Sequence, residues 1–139
     1  MSNKRAGVYY ETCFVTEAMK QGFDVFSPIG DHLPQDFILQ NKLGKLFRVQ
    51  VKGTWNKNTH EKRKTPRYKI IAASGSSGKI PIDCNKVDVL AAFIAEQGVW
   101  YLIPCQELRN TLSLWFYPDA TKTNARLEKF KEAWSIFLM

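Results

Sequence analysis

Four polar side chains in this 139-residue chain break the burial pattern of the elements that carry them. Glu11 stands three residues after Val8 and four before Val15, on the helix face expected to turn inward. A carboxylate there costs free energy unless a cation or a hydrogen-bond donor meets it. Asp36 opens a short strand behind the turn Leu33-Pro34-Gln35, and Gln50 and Lys52, two apart on a later strand, project from one face. Together they offer hard oxygen donors and one ammonium. Mg²⁺ takes such donors and few protein carboxylates. This donor set suits phosphodiester hydrolysis, where a divalent cation polarises the phosphate and stabilises the departing oxygen. Asp36, Gln50, the carbonyl of Val51 and Glu11 are the expected surroundings of the metal. Lys52 is expected to position or deprotonate the water, or to neutralise the transition state.

The elements that must bring these residues together can be read from periodicity. Residues 5–21 read as an amphipathic helix stopped by Gly22, with Val8, Phe14, Val15 and Ala18 as its apolar positions. Short strands follow at 23–26 and 36–39. The strand 46–52 alternates cleanly, with Phe47, Val49 and Val51 on one face and Arg48, Gln50 and Lys52 on the other. Residues 53–67 read as an exposed basic loop or hairpin tip, and 68–73 as a strand before the polar stretch Ser74 to Gly78. Two buried strands, 88–94 and 99–103, flank a short turn, with one helical turn at 105–109 and a strand at 111–117. A closing helix is expected over 123–139, with Leu127, Phe130, Trp134, Phe137 and Leu138 as its stripe.

Composition narrows the class. Twenty Lys and Arg against thirteen Asp and Glu leave a net charge of +7, with 45% hydrophobic residues, so the chain is an ordinary globular protein suited to a polyanion. No apolar run is long enough to span a membrane, and the polar N-terminus does not read as an export signal. Cys13, Cys84 and Cys105 are scattered, so neither a disulfide framework nor a zinc finger is expected, and a cytoplasmic location is. His32 and His60 lack the partners of a histidine-based centre. The stretch Gly75 to Lys79 does not match a phosphate-binding loop, so no nucleotide cofactor is expected. Lys57, Lys62, Arg63, Lys64 and Arg67 belong to a basic segment that begins a few residues after Lys52. With Lys79 they are the candidate DNA contacts, although a solvated charge run is the commoner meaning of such a segment.

Three features in chain order resemble the PD-(D/E)XK nuclease superfamily: Gly7 and Glu11 on the first helix, Pro34-Gln35-Asp36, and Gln50-Val51-Lys52 fourteen residues on. Intron-encoded homing endonucleases of this class are the nearest likeness, and Holliday-junction resolvases the next. Two departures stand out. Gln35 separates the proline from the aspartate, and Gln50 occupies the second acidic position, removing one negative ligand from the sheet. The resemblance implies an α/β fold with a restriction-endonuclease-like core, in which a mixed central sheet is flanked by helices in the order α-β-β-β, then further strands and a C-terminal helix. It implies one nuclease domain over 1–139, Mg²⁺ with Mn²⁺ able to substitute, double-stranded DNA as substrate, and a homodimer or homotetramer. The expected activity is site-specific cleavage of the homing type. Junction resolution, and a non-catalytic DNA-binding module that kept the fold, are the alternatives.

Overall fold

The computed structural model describes residues 1–58, 66–75, 77–121 and 123–139. Ser2 caps the first helix by accepting the Arg5 N–H, and α1 runs Asn3–Lys20. Gly22 ends it in the left-handed region (φ 95°), where the Gly22 and Phe23 N–H groups bond back to the carbonyls of Met19 and Ala18. The buried stripe is Ala6, Tyr10, Phe14 and Ala18. The helix is therefore rotated from the face expected around Val8, which is 61% exposed. The aromatic residues decide this: Phe14 packs on Phe37, Trp100 and Trp134 with ring centroids 5.6–6.0 Å apart.

Five strands form the central sheet: β1 (Asp24–Phe26), β2 (Phe37–Gln40), β3 (Leu46–Thr54), β7 (Val89–Ile94) and β8 (Val99–Pro104), in the order β1-β2-β3-β7-β8. β1–β2–β3 is an antiparallel meander, β3 and β7 run parallel, and β7–β8 is an antiparallel hairpin. Alternation sorts the side chains of β7. Val89, Ala91 and Phe93 join the core under α1, while Leu90, Ala92 and Ile94 join a second core on the opposite face. Burial on both faces explains why this strand reads as a continuous apolar run.

The second face is covered by a two-stranded antiparallel ribbon of β4 (Tyr68–Ile71) and β9 (Ser113–Phe116), accompanied by the small pair β5 (Ala73–Ser74) and β6 (Ile80–Pro81). The expected single turn after β8 is present as a 3-10 turn at Cys105–Leu108.

Two expectations fail. The C-terminal segment is not a helix but two 3-10 turns, Glu128–Phe130 and Trp134–Leu138. Glu132, at φ 50°, interrupts any helix, because its N–H donates to the Trp100 carbonyl while its carboxylate accepts the Trp100 and Trp134 N–H groups. Covering the free edge of β8 thus outweighs the helical periodicity; Leu127, Phe130, Trp134 and Phe137 of the expected stripe are buried, but Leu138 is 62% exposed. Cys84 and Cys105 form a disulfide, with Cα atoms 5.6 Å apart. They lie just before β7 and just after β8, and the hairpin returns one to the other.

Candidate active site

The site lies where β2 leaves β3. β2 pairs only with Leu46–Val49, so the last five residues of β3 have no strand neighbour on that side. Backbone groups of odd-numbered β3 residues lead to this edge: the Val49 carbonyl accepts the Asp36 N–H at 2.8 Å. Even-numbered residues bond toward β7, as the carbonyls of Arg48 and Thr54 do. Val51 would be left unpaired, and the Asp36 carboxylate accepts its N–H at 2.7 Å. Amide and carbonyl of one strand residue face the same neighbour, so the Val51 carbonyl opens into the fork beside Asp36.

The helix closes the fork from above. Tyr10 lies flat on Gly53, so close that a Cβ built there would be 2.6 Å from the ring. Only glycine permits this approach of α1 to β3. The next residue, Glu11, is thereby brought to the fork, and a cleft of about 520 Å³ is lined by Glu11, Asp36, Gln50, Val51, Lys52 and Trp55 among others. A second cleft of about 540 Å³ opens on the other side of Asp36 and Gln50, with His32 and Lys86 on its walls.

Charge and burial oppose each other here. Burial pushes the Glu11 carboxyl above the usual carboxylate range, and the negative charge of Asp36 adds to the shift. Asp36 is also pushed up by burial, against the downward pull of the Val51 N–H and the Lys52 ammonium. Arg48, on the Lys52 face of β3, is held elsewhere, with its guanidinium forking onto Asp88 at 2.9 and 3.0 Å and donating to the Asn85 carbonyl. Among the described residues Lys52 forms no salt bridge. Gln50 is 8% exposed, and among the described residues its amide oxygen has no hydrogen-bond donor.

That orphaned oxygen tests whether a divalent cation fits. A buried acceptor without a partner costs about 1–3 kcal/mol, and a cation in the fork would relieve it. Two half-buried carboxylates whose proton affinity is raised by burial, that of Glu11 also by the charge of Asp36, gain from the same cation. No cluster of three or more His, Cys, Asp and Glu suited to a metal exists among the described residues. The donors are two carboxylates, the Gln50 amide oxygen and the Val51 carbonyl, which matches the small protein contribution usual for Mg²⁺. The residues fit the ion.

All four residues singled out from the sequence, and Val51, therefore line one cleft. The expected DNA contacts are dispersed. Lys57 and Lys79 are exposed, and Arg67 is half-buried against Trp115, while Lys62, Arg63 and Lys64 lie outside the described residues. Sequence reasoning missed Tyr10 and Gly53 as the contact that sets the height of Glu11. The spacing Ala6-Tyr10-Phe14-Ala18 was the available signal for the tyrosine. Trp55 stacks on Tyr9 with centroids 5.4 Å apart, and among the described residues its indole N–H is buried in the cleft wall without an acceptor.

A five-stranded mixed sheet, an N-terminal helix and an acidic fork beside a lysine define a restriction-endonuclease-like α/β protein. The family model for the PD-(D/E)XK endonuclease matches residues 1–134, and the chain belongs to that family. None of the curated proteins is a significant match. Among solved structures, the bacterial homing endonuclease I-Ssp6803I is similar in fold, with a TM-score of 0.77 and 24% identity over 99% of this chain and 91% of that chain.

Proposed function

We propose that this protein is a Mg²⁺-dependent endonuclease that cuts double-stranded DNA at specific sites, in the manner of a homing enzyme. The convergence of Glu11, Asp36, Gln50, Val51 and Lys52 on one cleft carries the reading. Family membership supports the chemistry. The fold shared with a homing endonuclease along almost the whole chain supports the particular role.

Asp36, Glu11, the Gln50 amide oxygen and the Val51 carbonyl would hold the cation. A bound cation supplies positive charge to the scissile phosphate and to the departing oxygen. Asp36 also acts on the backbone. By accepting the Val51 N–H it fixes the open edge of β3, and with it the direction of the Val51 carbonyl. Lys52, which forms no salt bridge among the described residues, would place its positive charge beside the phosphate, where negative charge grows in the transition state. The Tyr10–Gly53 contact sets the reach of Glu11, and Mn²⁺ is expected to replace Mg²⁺. The single domain acts as a homodimer or homotetramer, since two strand cuts need two sites and symmetry supplies them.

The test is incubation with plasmid, a random-site DNA library and a synthetic four-way junction, with Mg²⁺ or with EDTA. The expected result is cleavage of duplex at one long site, lost in EDTA and lost in Asp36→Asn and Lys52→Ala, both of which still bind DNA. Cleavage confined to the junction overturns the homing role. No cleavage of any substrate with either metal overturns the enzyme.

A further inference from the structure

The β4–β9 ribbon has one face with a structural explanation and one without. Tyr68, Ile70, Leu114 and Phe116 point inward and are buried in the second core. Lys69, Ile71, Ser113 and Trp115 alternate with them on the outer face, where Lys69 is exposed and Trp115 partly so. Arg67, one residue before β4, lays its guanidinium on the Trp115 ring at 3.4 Å from the centroid, and Lys69 Nζ lies 5.6 Å from the same centroid. Arg67 Nη1 donates to the Tyr117 hydroxyl at 3.4 Å. Two cations thus crowd one indole.

Among the described residues neither cation is paired with an acid, and Arg67 Nε is buried without a partner. The acids that follow β9 are committed elsewhere. Asp119 accepts from Gln97, and Glu128 accepts from the Tyr101 hydroxyl and the Tyr117 N–H. Among the described residues, folding has gathered positive charge here and turned the nearby acids after β9 elsewhere. The indole face attracts the guanidinium and holds its plane, so little side-chain freedom remains to be lost when an anion arrives.

The ribbon starts beside the cleft. Asn58 pairs with Arg67 as an isolated bridge, its N–H donating to the Arg67 carbonyl at 2.7 Å. Asn56, two residues earlier, lines the cleft wall, and two residues span at most about 7 Å. A duplex with a strand in the fork would therefore meet the ribbon as well.

We infer that the outer face of the β4–β9 ribbon is a second DNA-docking surface, on which Arg67 and Lys69 neutralise backbone phosphates and Trp115 acts as the positioning residue for Arg67. Charge complementarity selects the occupant: a chain of net charge +7 presents, on one narrow ribbon, two cations with no salt bridge among the described residues, and the DNA backbone is the matching polyanion. This deepens the endonuclease reading and rests on it.

The experiment is fluorescence anisotropy with labelled duplexes of several sequences, in EDTA so that no cleavage occurs, between about 50 and about 200 mM salt. Arg67→Gln and Lys69→Gln should each weaken binding to every sequence and lower the slope of log affinity against log salt by about 0.9, with additive effects in the double variant. Trp115→Leu should weaken binding about two- to fivefold while keeping the slope near wild type, and Trp115→Phe should restore most of the loss. Melting curves are recorded for each variant, because a merely structural tryptophan would lower Tm and leave affinity alone. Unchanged affinity and slope in the double variant overturn the ribbon assignment while leaving the endonuclease reading intact. A loss confined to one sequence overturns the phosphate assignment. A wild-type protein that binds no duplex defeats the endonuclease reading itself, and this surface with it.

Discussion

Alanine at Gly53 tests whether the height of α1 above β3 sets the geometry of the site. The new Cβ would stand 2.6 Å from two ring carbons of Tyr10, about 0.8 Å inside the 3.4 Å at which ordinary contact begins. Tyr10 has little room to yield, since it is 9% exposed and meets Phe93 edge to face with centroids 6.2 Å apart. Overpacking of this kind costs about 1–3 kcal/mol, and the rigid ring places the cost near the upper end. Replacing a strand glycine returns about 0.5–1 kcal/mol of backbone entropy. The balance is a loss of about 2 kcal/mol, or a fall in Tm of about 6–8 °C for a domain of this size. The helix must rise by most of the overlap and carry Glu11 with it, and a misplacement near 1 Å lowers cleavage by up to about 10²-fold. Adding Tyr10→Leu should recover stability relative to the two single changes summed, which a double-mutant cycle by urea denaturation measures. A Gly53→Ala protein that melts and cuts like wild type refutes the account.

Gly7, although on the same helix and in the cleft wall, has open space where a Cβ would go. Gly7→Ala should therefore stabilise the protein by about 0.5–1 kcal/mol in thermal melts. The raised proton affinities of Glu11 and Asp36 make the folded state bind more protons than the unfolded one between the ordinary carboxylate range and their shifted values. Metal-free stability should thus fall as pH rises through that window, and Asp36→Asn or Glu11→Gln should flatten the fall in denaturation series. Mg²⁺ should raise Tm more above the window than within it, and less in either variant. Asp88, held below its usual range by the Arg48 guanidinium, has the opposite sign: its contribution is lost as pH falls through its lowered value. The Cys84–Cys105 bond closes a loop with a sequence separation of 21 and is worth about 3 kcal/mol, so Cys84→Ser with Cys105→Ser, or a reductant, should lower Tm without touching the cleft.

Sequence alone determined which polar residues would line the cleft and the order of the elements that carry them. Alternation along 46–52 put Gln50 and Lys52 on one face of β3, and the turn before Asp36 marked the start of β2. These are local properties, because side-chain direction repeats every two residues in a strand. The meeting of those residues is not local. It arises because β2 stops short of the end of β3 and leaves the Val51 edge to a carboxylate, and because a ring on α1 fits over a glycine on the strand below. The C-terminal segment shows the same limit: most of its stripe is buried, yet the edge of β8 claims Glu132, no helix forms and Leu138 is left exposed. Periodicity states which face of an element seeks burial. Only the packed chain decides what that face meets, since the competing partners lie far apart in sequence and their bonds exist only once the sheet has formed.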